Sequence, residues 1–280
     1  MIIHPRTGER IAKAVIWTAA VFVIAVLMFI ILYLLGKGLP NISWEFLTKV
    51  PSDMGRRGGI LSPLVGTLLV TSVAVCIAAP LGIGTAFYLA EYTREGVITK
   101  VIRFSANSLA GIPSIVYGLF GLIFFVDILG LGWCILSGGL TLAIMTLPTV
   151  IRTAEEAIIT VPKIYREVSF SLGATKWQTT FRTVFPSALP GIVNGIILAV
   201  GRCVAETAAV GLTAGSALRM PGSLSDSTRT MAYHFYMLAR EGISMKNAYG
   251  TAAILIILIL LINVVANTLL NNFIAKKSAR

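Results

Sequence analysis

The sequence carries little charge for its length. Asp, Glu, Lys and Arg together make up 12% of its 280 residues, whereas an average soluble domain carries about 25%. Hydrophobic residues make up 56% of the chain, and the mean hydropathy is +0.86. This composition argues against a soluble protein and predicts a chain that lies largely within a membrane.

Cysteine and histidine are also scarce, which limits the kinds of site that the chain can form. Cys76, Cys134 and Cys203 lie far apart in uncharged runs, and we expect each to be a small buried hydrophobic residue. The only histidines are His4 and His234, so no cluster has the spacing of metal ligands. A G-x-x-x-x-G-K-[ST] phosphate loop is absent as well. We therefore expect this chain to bind no metal or cofactor and to hydrolyse no ATP.

Long uncharged runs account for most of the sequence. They cover residues 14–36, 58–90, 104–126, 128–151, 247–275 and, interrupted by Arg202 and Glu206, 187–218. Each run exceeds the roughly 20 residues that cross a hydrocarbon core of about 30 Å, and strands of an outer-membrane barrel would instead alternate over short segments. The sequence therefore predicts an all-α membrane protein with a single transmembrane domain over residues 1–280. Its six helices are predicted near 14–36, 64–90, 105–127, 131–152, 189–214 and 250–274.

Proline lies inside two of the predicted helices. Pro80, followed by two glycines, predicts a kink or break in the second helix, and Pro113 predicts a bend in the third. The first run, 14–36, is longer than the core of about 7–15 residues in a cleavable signal peptide. We therefore expect the first helix to remain in the mature protein.

Basic residues are distributed unevenly between the two sides of the predicted bundle. Fourteen of the 23 Lys and Arg residues fall in the two termini and in the segments 91–105 and 152–190. Because basic residues favour cytoplasmic loops, both termini are predicted to be cytoplasmic. This topology explains the net charge of +11 better than a nucleic-acid partner, which we do not expect. Four basic residues of the outer loops either attract an anion or an acidic partner or are simply solvated: Arg56, Arg57, Arg219 and Arg229.

Arg202 and Glu206 place two charges inside the otherwise uncharged fifth helix. Counted from Pro190 at about 1.5 Å per residue, they lie about 18 Å and about 24 Å into the helix, at or beyond mid-membrane. An arginine at the bilayer centre costs at least about 2.5–3.5 kcal/mol to insert. Positions i and i+4 share one face of a helix, so the two side chains are predicted to pair.

Two interpretations of this pair stay open. It could be a buried ion pair that holds the fifth helix to a neighbour, although such pairs often contribute little net stability. Alternatively, both side chains border an aqueous path, where the guanidinium of Arg202 supplies planar, bidentate donors for an oxyanion. Glu206 would then hold Arg202 in place and prevent the anion from binding too tightly to leave.

The cytoplasmic segment 153–188 carries the signs of an amphipathic helix. Pro162 can begin this helix because the missing N–H is not needed in the first turn. Ile164, Val168 and Leu172 then fall on one face at helical spacing. The pattern predicts a short helix with one apolar face.

Gly173 follows this short helix and can end it in a left-handed conformation. We predict a second short helix, "ATKWQTTFRTVF", ended by Pro186 and Pro190. The two helices either lie on lipid headgroups or dock their apolar face into a groove of a partner protein. Four charged residues would form the rim of that face: Arg166, Glu167, Lys176 and Arg182.

The segment resembles the EAA loop in permease subunits of ABC importers, written EAA, three residues, G, nine residues, I-x-L-P. Here Glu167-Val168-Ser169 precedes Gly173 by three residues, and Thr183-Val184-Phe185-Pro186 follows after nine more. The glutamate, the glycine, the proline and both spacings match, whereas the two alanines, the isoleucine and the leucine do not. The resemblance implies that a coupling helix rests in a groove of an ATPase subunit. Its implied contact residues are Arg166, Glu167, Ser169, Leu172, Gly173 and Ala174.

Further stretches are similar to phosphate-importer permeases, namely "GTLLVTSVAVCIAAPLGIGTAFYLAEY", "LAGIPSIVYGLFG" and "GRCVAETAAV". "GRRGGILSPLVGTLL", "YHFYMLAREG" and "AYGTAAILIILILLIN" resemble the PstA-type subunit more than its PstC-type partner. The resemblance implies a location in the bacterial cytoplasmic (inner) membrane and a path for phosphate that includes Arg202 and Glu206. The implied partners are a PstC-type permease, two ATPase subunits that hold ATP and Mg, an extracytoplasmic phosphate-binding protein and membrane lipid.

Three alternatives remain from the sequence. An ABC permease for another oxyanion or small polar solute would take up that solute and leave phosphate outside. An ion-coupled secondary transporter would import its substrate without any ATPase. An intramembrane serine protease needs a base near its nucleophile, and neither histidine lies in a predicted membrane helix.

Overall fold

A computed structural model of the chain describes residues 5–94 and 96–278, with side chains for Glu9, residues 12–94 and residues 96–271. Within those residues the chain forms α-helices and no β-strand. The helices are α1 Pro5–Gly38, α2 Trp44–Thr48, α3 Leu61–Phe87, α4 Val97–Ala110, α5 Ser114–Gly121, α6 Ile135–Ile159, α7 Lys163–Ser171, α8 Lys176–Thr179, α9 Phe185–Ala205, α10 Ala208–Thr213, α11 Met231–Arg240 and α12 Met245–Ser278. Three π-helical stretches continue α3, continue α5 and join α8 to α9: Tyr88–Tyr92, Leu122–Ile128 and Thr180–Val184.

Five helical segments are long and apolar enough to cross a membrane. They are Ala12–Asn41, Leu61–Tyr92, Ile135–Ile159, Lys176–Ala205 and Met245–Asn271. Val97–Ala110 and Ser114–Ile128 supply a sixth crossing if this bent pair is counted as one. The prediction of an all-α membrane protein is confirmed.

The third predicted helix is sharply bent in the structure and begins earlier than predicted. The bend predicted at Pro113 is confirmed, since α4 and α5 meet at an angle of 100°, whereas the start predicted near residue 105 is too late, since α4 begins at Val97. Pro113 explains the break, because proline has no N–H to donate and keeps the preceding residue out of helical geometry. The Tyr117 hydroxyl donates a hydrogen bond of 2.7 Å to the carbonyl of Leu109 across the bend.

Three other helix boundaries also differ from the prediction. The expected break at Pro80 is absent, because α3 runs continuously from Leu61 to Phe87. The fourth helix, predicted to end near residue 152, continues to Ile159. The second short helix of the cytoplasmic segment does not stop at its prolines but continues through a π-helical stretch into α9. Pro186 lies in the first turn of α9, where a missing N–H is tolerated.

The core of the bundle is formed by α3, α6 and α9. α3 and α6 approach each other closely at Gly139, where a side chain would collide with Val73. α6 and α9 approach at Gly195, where a side chain would collide with Thr153. Small residues at such crossings let two membrane helices pack through their backbones. α1 lies outside this core, with most of its side chains exposed, and packs against α12.

Two ends of the bundle can be distinguished by their contacts. Two ion pairs define what we call the α7 end. Arg166 in α7 pairs with Glu91 beyond the end of α3, and Arg103 in the middle of α4 pairs with Glu155 in the last turns of α6. The opposite end, the α11 end, joins the loop before α6 to the loop before α11. There the backbone N–H of Ile135 donates to the carbonyl of Asp226 at 3.0 Å.

Candidate functional site

Arg202 and Glu206 lie where the fifth spanning segment breaks. α9 ends at Ala205, and Glu206 has an extended backbone with φ −71° and ψ 134°. The predicted helix over 189–214 is therefore interrupted, and the two residues do not share a helix face. The predicted i, i+4 pairing is wrong, since no ion pair joins Arg202 to Glu206 within the described part of the chain.

The Glu206 carboxylate has a different partner. Its Oε1 accepts a hydrogen bond of 3.3 Å from the backbone N–H of Ala209 in the first turn of α10. A carboxylate at a helix N-terminus satisfies a free N–H and interacts favourably with the helix dipole. Glu206 therefore caps the helix that follows the break.

The Arg202 guanidinium is half-buried and has no hydrogen-bonding or ion-pair partner among the described side chains. It lies close enough to Tyr117 and Cys203 to act on both electrostatically. A charged group without a partner in such a place is costly. Its five N–H donors are consequently available to a ligand.

The surroundings of Arg202 are built from a second broken helix. Tyr117 lies in the first turn of α5, one turn after the bend at Pro113. α5 packs against α10 so closely that a side chain at Gly118 would collide with Ala209. An apolar cavity of about 250 Å³ lies beside this contact and is lined by Leu109, Ile112, Val116, Tyr117, Phe120 and Ile144. Irregular backbone at membrane depth is tolerated where it is enclosed by protein or borders an aqueous cavity.

The second candidate site is the helix–turn segment at the α7 end. Pro162 precedes α7, as predicted, and α7 ends in a turn at Gly173 with φ +80°. This left-handed geometry favours glycine. The backbone N–H of Ala174 donates to the carbonyl of Ser169 at 3.1 Å, which closes the turn. A capping box between Thr175 and Gln178 then begins α8.

The six predicted coupling residues divide between the two faces of this segment. Glu167, Leu172 and Gly173 face outward, and the Leu172 residue is 83% exposed. Arg166, Ser169 and Ala174 are partly buried. Ser169 Oγ shares a hydrogen bond of 2.9 Å with Thr179 Oγ1, so α7 is attached to α8. The apolar positions Ile164 and Val168 are each about half exposed, as the amphipathic pattern predicts.

Residues 78–278 match the family model described as the binding-protein-dependent transport system inner membrane component. The chain belongs to this family. Its members are membrane subunits of importers and not enzymes themselves. The chain is therefore a multi-pass permease subunit of an ABC importer.

The relatives agree with this assignment, and solved structures share the fold. The permease is 32% identical over 93% of its length to the probable ABC transporter permease protein YqgI of Bacillus subtilis, covering 94% of that protein. It is 34% identical over 86% of its length to the phosphate transport system permease protein PstA of Pasteurella multocida, covering 86% of that protein. A structure of the MetNI methionine ABC transporter shares the fold, with a TM-score of 0.63 and 20% identity over 76% of this chain and 95% of that one. A structure of a bacterial ABC transporter involved in the import of alginate also shares the fold, with a TM-score of 0.60 and 16% identity over 95% of this chain and 99% of that one.

Arg229 of the permease is not on the surface of the α11 end, although its loop was predicted to be an exposed basic segment. Only 4% of Arg229 is exposed. Its Nε donates to the carbonyl of Ser216 at 3.1 Å, while Nη1 has no partner among the described residues. Burial lowers the pKa of Arg229. The alternative of a solvated or anion-attracting loop charge is therefore wrong for Arg229. Arg219, by contrast, is exposed and pairs with Asp226 at 3.3 Å.

His234 lies in α11, close to Arg229, and only 1% of its surface is exposed. Burial, and to a smaller extent the charge of Arg229, lowers the pKa of His234 to about 4. Its Nδ1 has no hydrogen-bonding partner among the described residues. The imidazole is therefore neutral at physiological pH.

Sequence reasoning missed the two buried carboxylates at the α7 end. Glu155 accepts a hydrogen bond of 2.7 Å from Arg103 Nε, and Glu91 pairs with Arg166. Single glutamates at helix ends give no signal of a partner distant in the sequence.

Cys134 and Cys203 are buried as expected, whereas Cys76 is exposed on α3. The N-terminal and C-terminal basic residues used for topology, Arg6, Arg10, Lys276, Lys277 and Arg280, lie outside the described side chains.

Proposed function

We propose that this permease forms half of the path for inorganic phosphate in an ATP-driven importer of the bacterial cytoplasmic membrane. The observation that carries the proposal is the Arg202 guanidinium at the break between α9 and α10, which has no partner among the residues that the structure describes. The phosphate transport permeases among the relatives support phosphate as the anion. The PstA-type assignment belongs to this proposal.

Arg202 binds the anion through paired N–H donors. A guanidinium matches two phosphate oxygens at once, and hydrogen bonds between charged partners are among the strongest in proteins. Because no carboxylate among the described side chains occupies its donors, Arg202 is ready to bind without first breaking an ion pair. Glu206 provides a nearby negative charge that weakens the hold on the anion, and a path must release what it admits.

The outward face of α7 contacts the ATPase. Ile164, Val168 and Leu172 present apolar surface at the tip of the α7 end, and Glu167 lies beside them. An amphipathic helix of this kind fits a groove on a partner. In the proposed assembly the α7 end and both termini face the cytoplasm, in line with the distribution of basic residues. ATP and Mg are held by two separate ATPase subunits.

The remaining partners follow from the same proposal. A PstC-type permease completes the path, and an extracytoplasmic phosphate-binding protein delivers the anion to the α11 end. Membrane lipid surrounds α1, whose apolar side chains are exposed along its length. The alternative substrate is another oxyanion, since the paired donors of Arg202 also fit two oxygen atoms of sulfate or of a similar anion.

Uptake into proteoliposomes tests the proposal. The permease is reconstituted with its PstC-type partner and ATPase subunits, with ATP inside the vesicles and the binding protein outside. We expect uptake of radioactive phosphate that requires all of these components and is not reduced by excess sulfate. Uptake of sulfate in place of phosphate would assign the other oxyanion. Uptake by this chain without ATPase subunits would instead indicate an ion-coupled transporter.

A further inference from the structure

Arg166 makes four hydrogen bonds at the α7 end, although it was predicted to contact the ATPase. Its Nε and Nη2 donate to Glu91 Oε1 at 2.9 and 2.6 Å. Its Nη1 donates to the carbonyl of Val161 at 2.7 Å, and Nη2 also donates to the carbonyl of Ile158 at 3.0 Å. The side chains of Arg166 and Glu91 are 18% and 9% exposed. This side chain therefore points into the permease and away from the tip of α7.

The four bonds join three separate helices. Glu91 belongs to the π-helical end of the span that begins with α3, Ile158 lies in the last turn of α6, and Val161 follows two residues after the end of α6. Arg166 itself lies in the first turns of α7. One side chain thus connects the candidate ATPase contact to two core helices of the bundle.

Apolar packing contributes little to this connection. α7 buries no residue in the bundle. Beside the Arg166–Glu91 pair lies a cavity of about 390 Å³, lined by Ala90, Glu91, Ile159, Lys163, Arg166, Glu167 and Phe170. Because α7 has little buried surface, a movement of α7 reaches α3 and α6 mainly through polar bonds.

We propose that Arg166 is a positioning residue that transmits displacement of α7 to the ends of α3 and α6. This inference rests on the proposed contact of α7 with an ATPase. Charge-assisted hydrogen bonds in a partly buried site are shorter and stronger than neutral ones. The planar guanidinium of Arg166 holds its N–H donors in fixed directions, so these bonds fix the orientation of α7 as well as its distance from the bundle. Lysine cannot reproduce this arrangement, because a single ammonium group cannot span the carboxylate and both carbonyls.

Two substitutions and one matched control test the proposal in the reconstituted importer. Arg166→Met removes all four bonds, and Arg166→Lys retains the charge without the planar guanidinium. Arg152→Lys is the control, because Arg152 pairs with Glu156 on the same end of the bundle but both side chains are more than 60% exposed. The measured quantity is phosphate imported per ATP hydrolysed, together with the amount of ATPase that co-purifies.

We expect Arg166→Met to keep its ATPase subunits and to lower phosphate imported per ATP by about tenfold or more, because removal of one partner of a buried pair is costly. Arg166→Lys should give an intermediate loss, and Arg152→Lys should match the wild type. An unchanged ratio in Arg166→Met would overturn the proposal. Loss of the ATPase from the purified complex would overturn it as well, since it would assign Arg166 to assembly.

Hydrogen exchange of the purified permease separates this inference from the proposed function. In Arg166→Met the amides of α7 should exchange about tenfold faster than in wild type, because α7 loses its attachment to α3 and α6. Arg152→Lys should leave them unchanged. If the wild-type assembly imports no phosphate, the proposed function fails while this measurement still tests the attachment. Equal exchange in Arg166→Met and wild type would refute the attachment itself.

Discussion

Arg166 at the α7 end and Arg202 at the break between α9 and α10 are the same side chain in two different settings. All the hydrogen bonds of Arg166 go to groups of its own chain, and its carboxylate partner is largely buried. Arg202 is half-buried as well, yet it has no such partner among the described side chains. The first arginine stabilises an arrangement of helices, whereas the second retains donors that an incoming anion can use.

The surroundings of Glu91 and Glu206 explain the difference. Glu91 lies at the end of a helical span and reaches across to α7. Glu206 follows the end of α9, and its carboxylate is held by the N-terminus of α10. The break in the helix therefore separates a pair that a continuous helix would have joined. Backbone geometry, and not residue type, decides which arginine is free.

The largest expected effect comes from removing the free guanidinium. Arg202→Gln should lower phosphate uptake by about 100-fold or more, because a lost hydrogen bond between charged partners is worth up to about 3 kcal/mol. The complex should assemble normally, since Arg202 makes no bond within the described chain. Uptake in proteoliposomes and subunit yield are the two measurements.

Two control variants show whether this effect belongs to the break. Arg219→Gln removes an exposed arginine of the α11 end and should leave uptake close to wild type. Glu206→Gln keeps an oxygen that can cap α10 but removes the negative charge, so phosphate should bind more tightly and leave more slowly. Wild-type uptake in Arg202→Gln would show that the free guanidinium takes no part in transport.

The next effect in size concerns a buried group of the α11 end that stays neutral. The folded-state pKa of His234 is about 4, below the value of about 6.5 expected in the unfolded chain. Between these two values the unfolded chain binds a proton that the folded permease does not. The contribution of His234 to the free energy of unfolding is therefore largest above about pH 6.5. It decreases by up to about 3 kcal/mol as the pH falls to 4.

Thermal unfolding of the purified permease between pH 7.5 and 4.5 measures this loss. His234→Leu serves as the comparison, because it removes the titrating group from the same buried position. Its melting temperature should fall less steeply with pH than that of the wild type, whatever its stability at pH 7.5. Parallel pH profiles for the two proteins would mean that another group controls the acid sensitivity of the α11 end.

Much of the fold could be predicted from the sequence because hydrophobic length and helix punctuation are local properties. The uncharged runs predicted the spans, and Pro162 and Gly173 marked the beginning and end of the α7 segment. Proline was a less reliable signal, since Pro113 breaks a helix whereas Pro80 does not. A proline removes one hydrogen bond in either case, and the surrounding helices decide whether the helix continues.

The candidate site was predicted in composition but not in geometry. Sequence spacing identified Arg202 and Glu206 as unusual, yet it could not show that the helix ends at Ala205 between them. It also placed Arg166 on an outer rim, because its partner Glu91 is distant in the sequence and the carbonyls of Ile158 and Val161 carry no residue signal. Pairing across a bundle is a property of tertiary structure, and one chain in isolation does not encode it in a local pattern.

The smallest expected effect concerns the turn after α7. Gly173 and Gly242 both have positive φ, at +80° and +61°, and a side chain on either would meet no other atom within 4 Å. Alanine at either position should therefore cost only about 1 kcal/mol, through the left-handed backbone alone. The two variants should have similar melting temperatures, a little below that of wild type.

Transport should separate these two variants, since they lie at opposite ends of the bundle. Gly173→Ala changes the turn that orients the exposed Leu172 and should lower phosphate imported per ATP several-fold, within the usual range of coupling energies of about 1–3 kcal/mol. Gly242→Ala alters the end of α11 and should leave this ratio unchanged. Equal ratios in the two variants would mean that the angle of the α7 turn does not matter for coupling. A deficit confined to Gly173→Ala would place coupling at the α7 end, since both variants carry the same backbone strain.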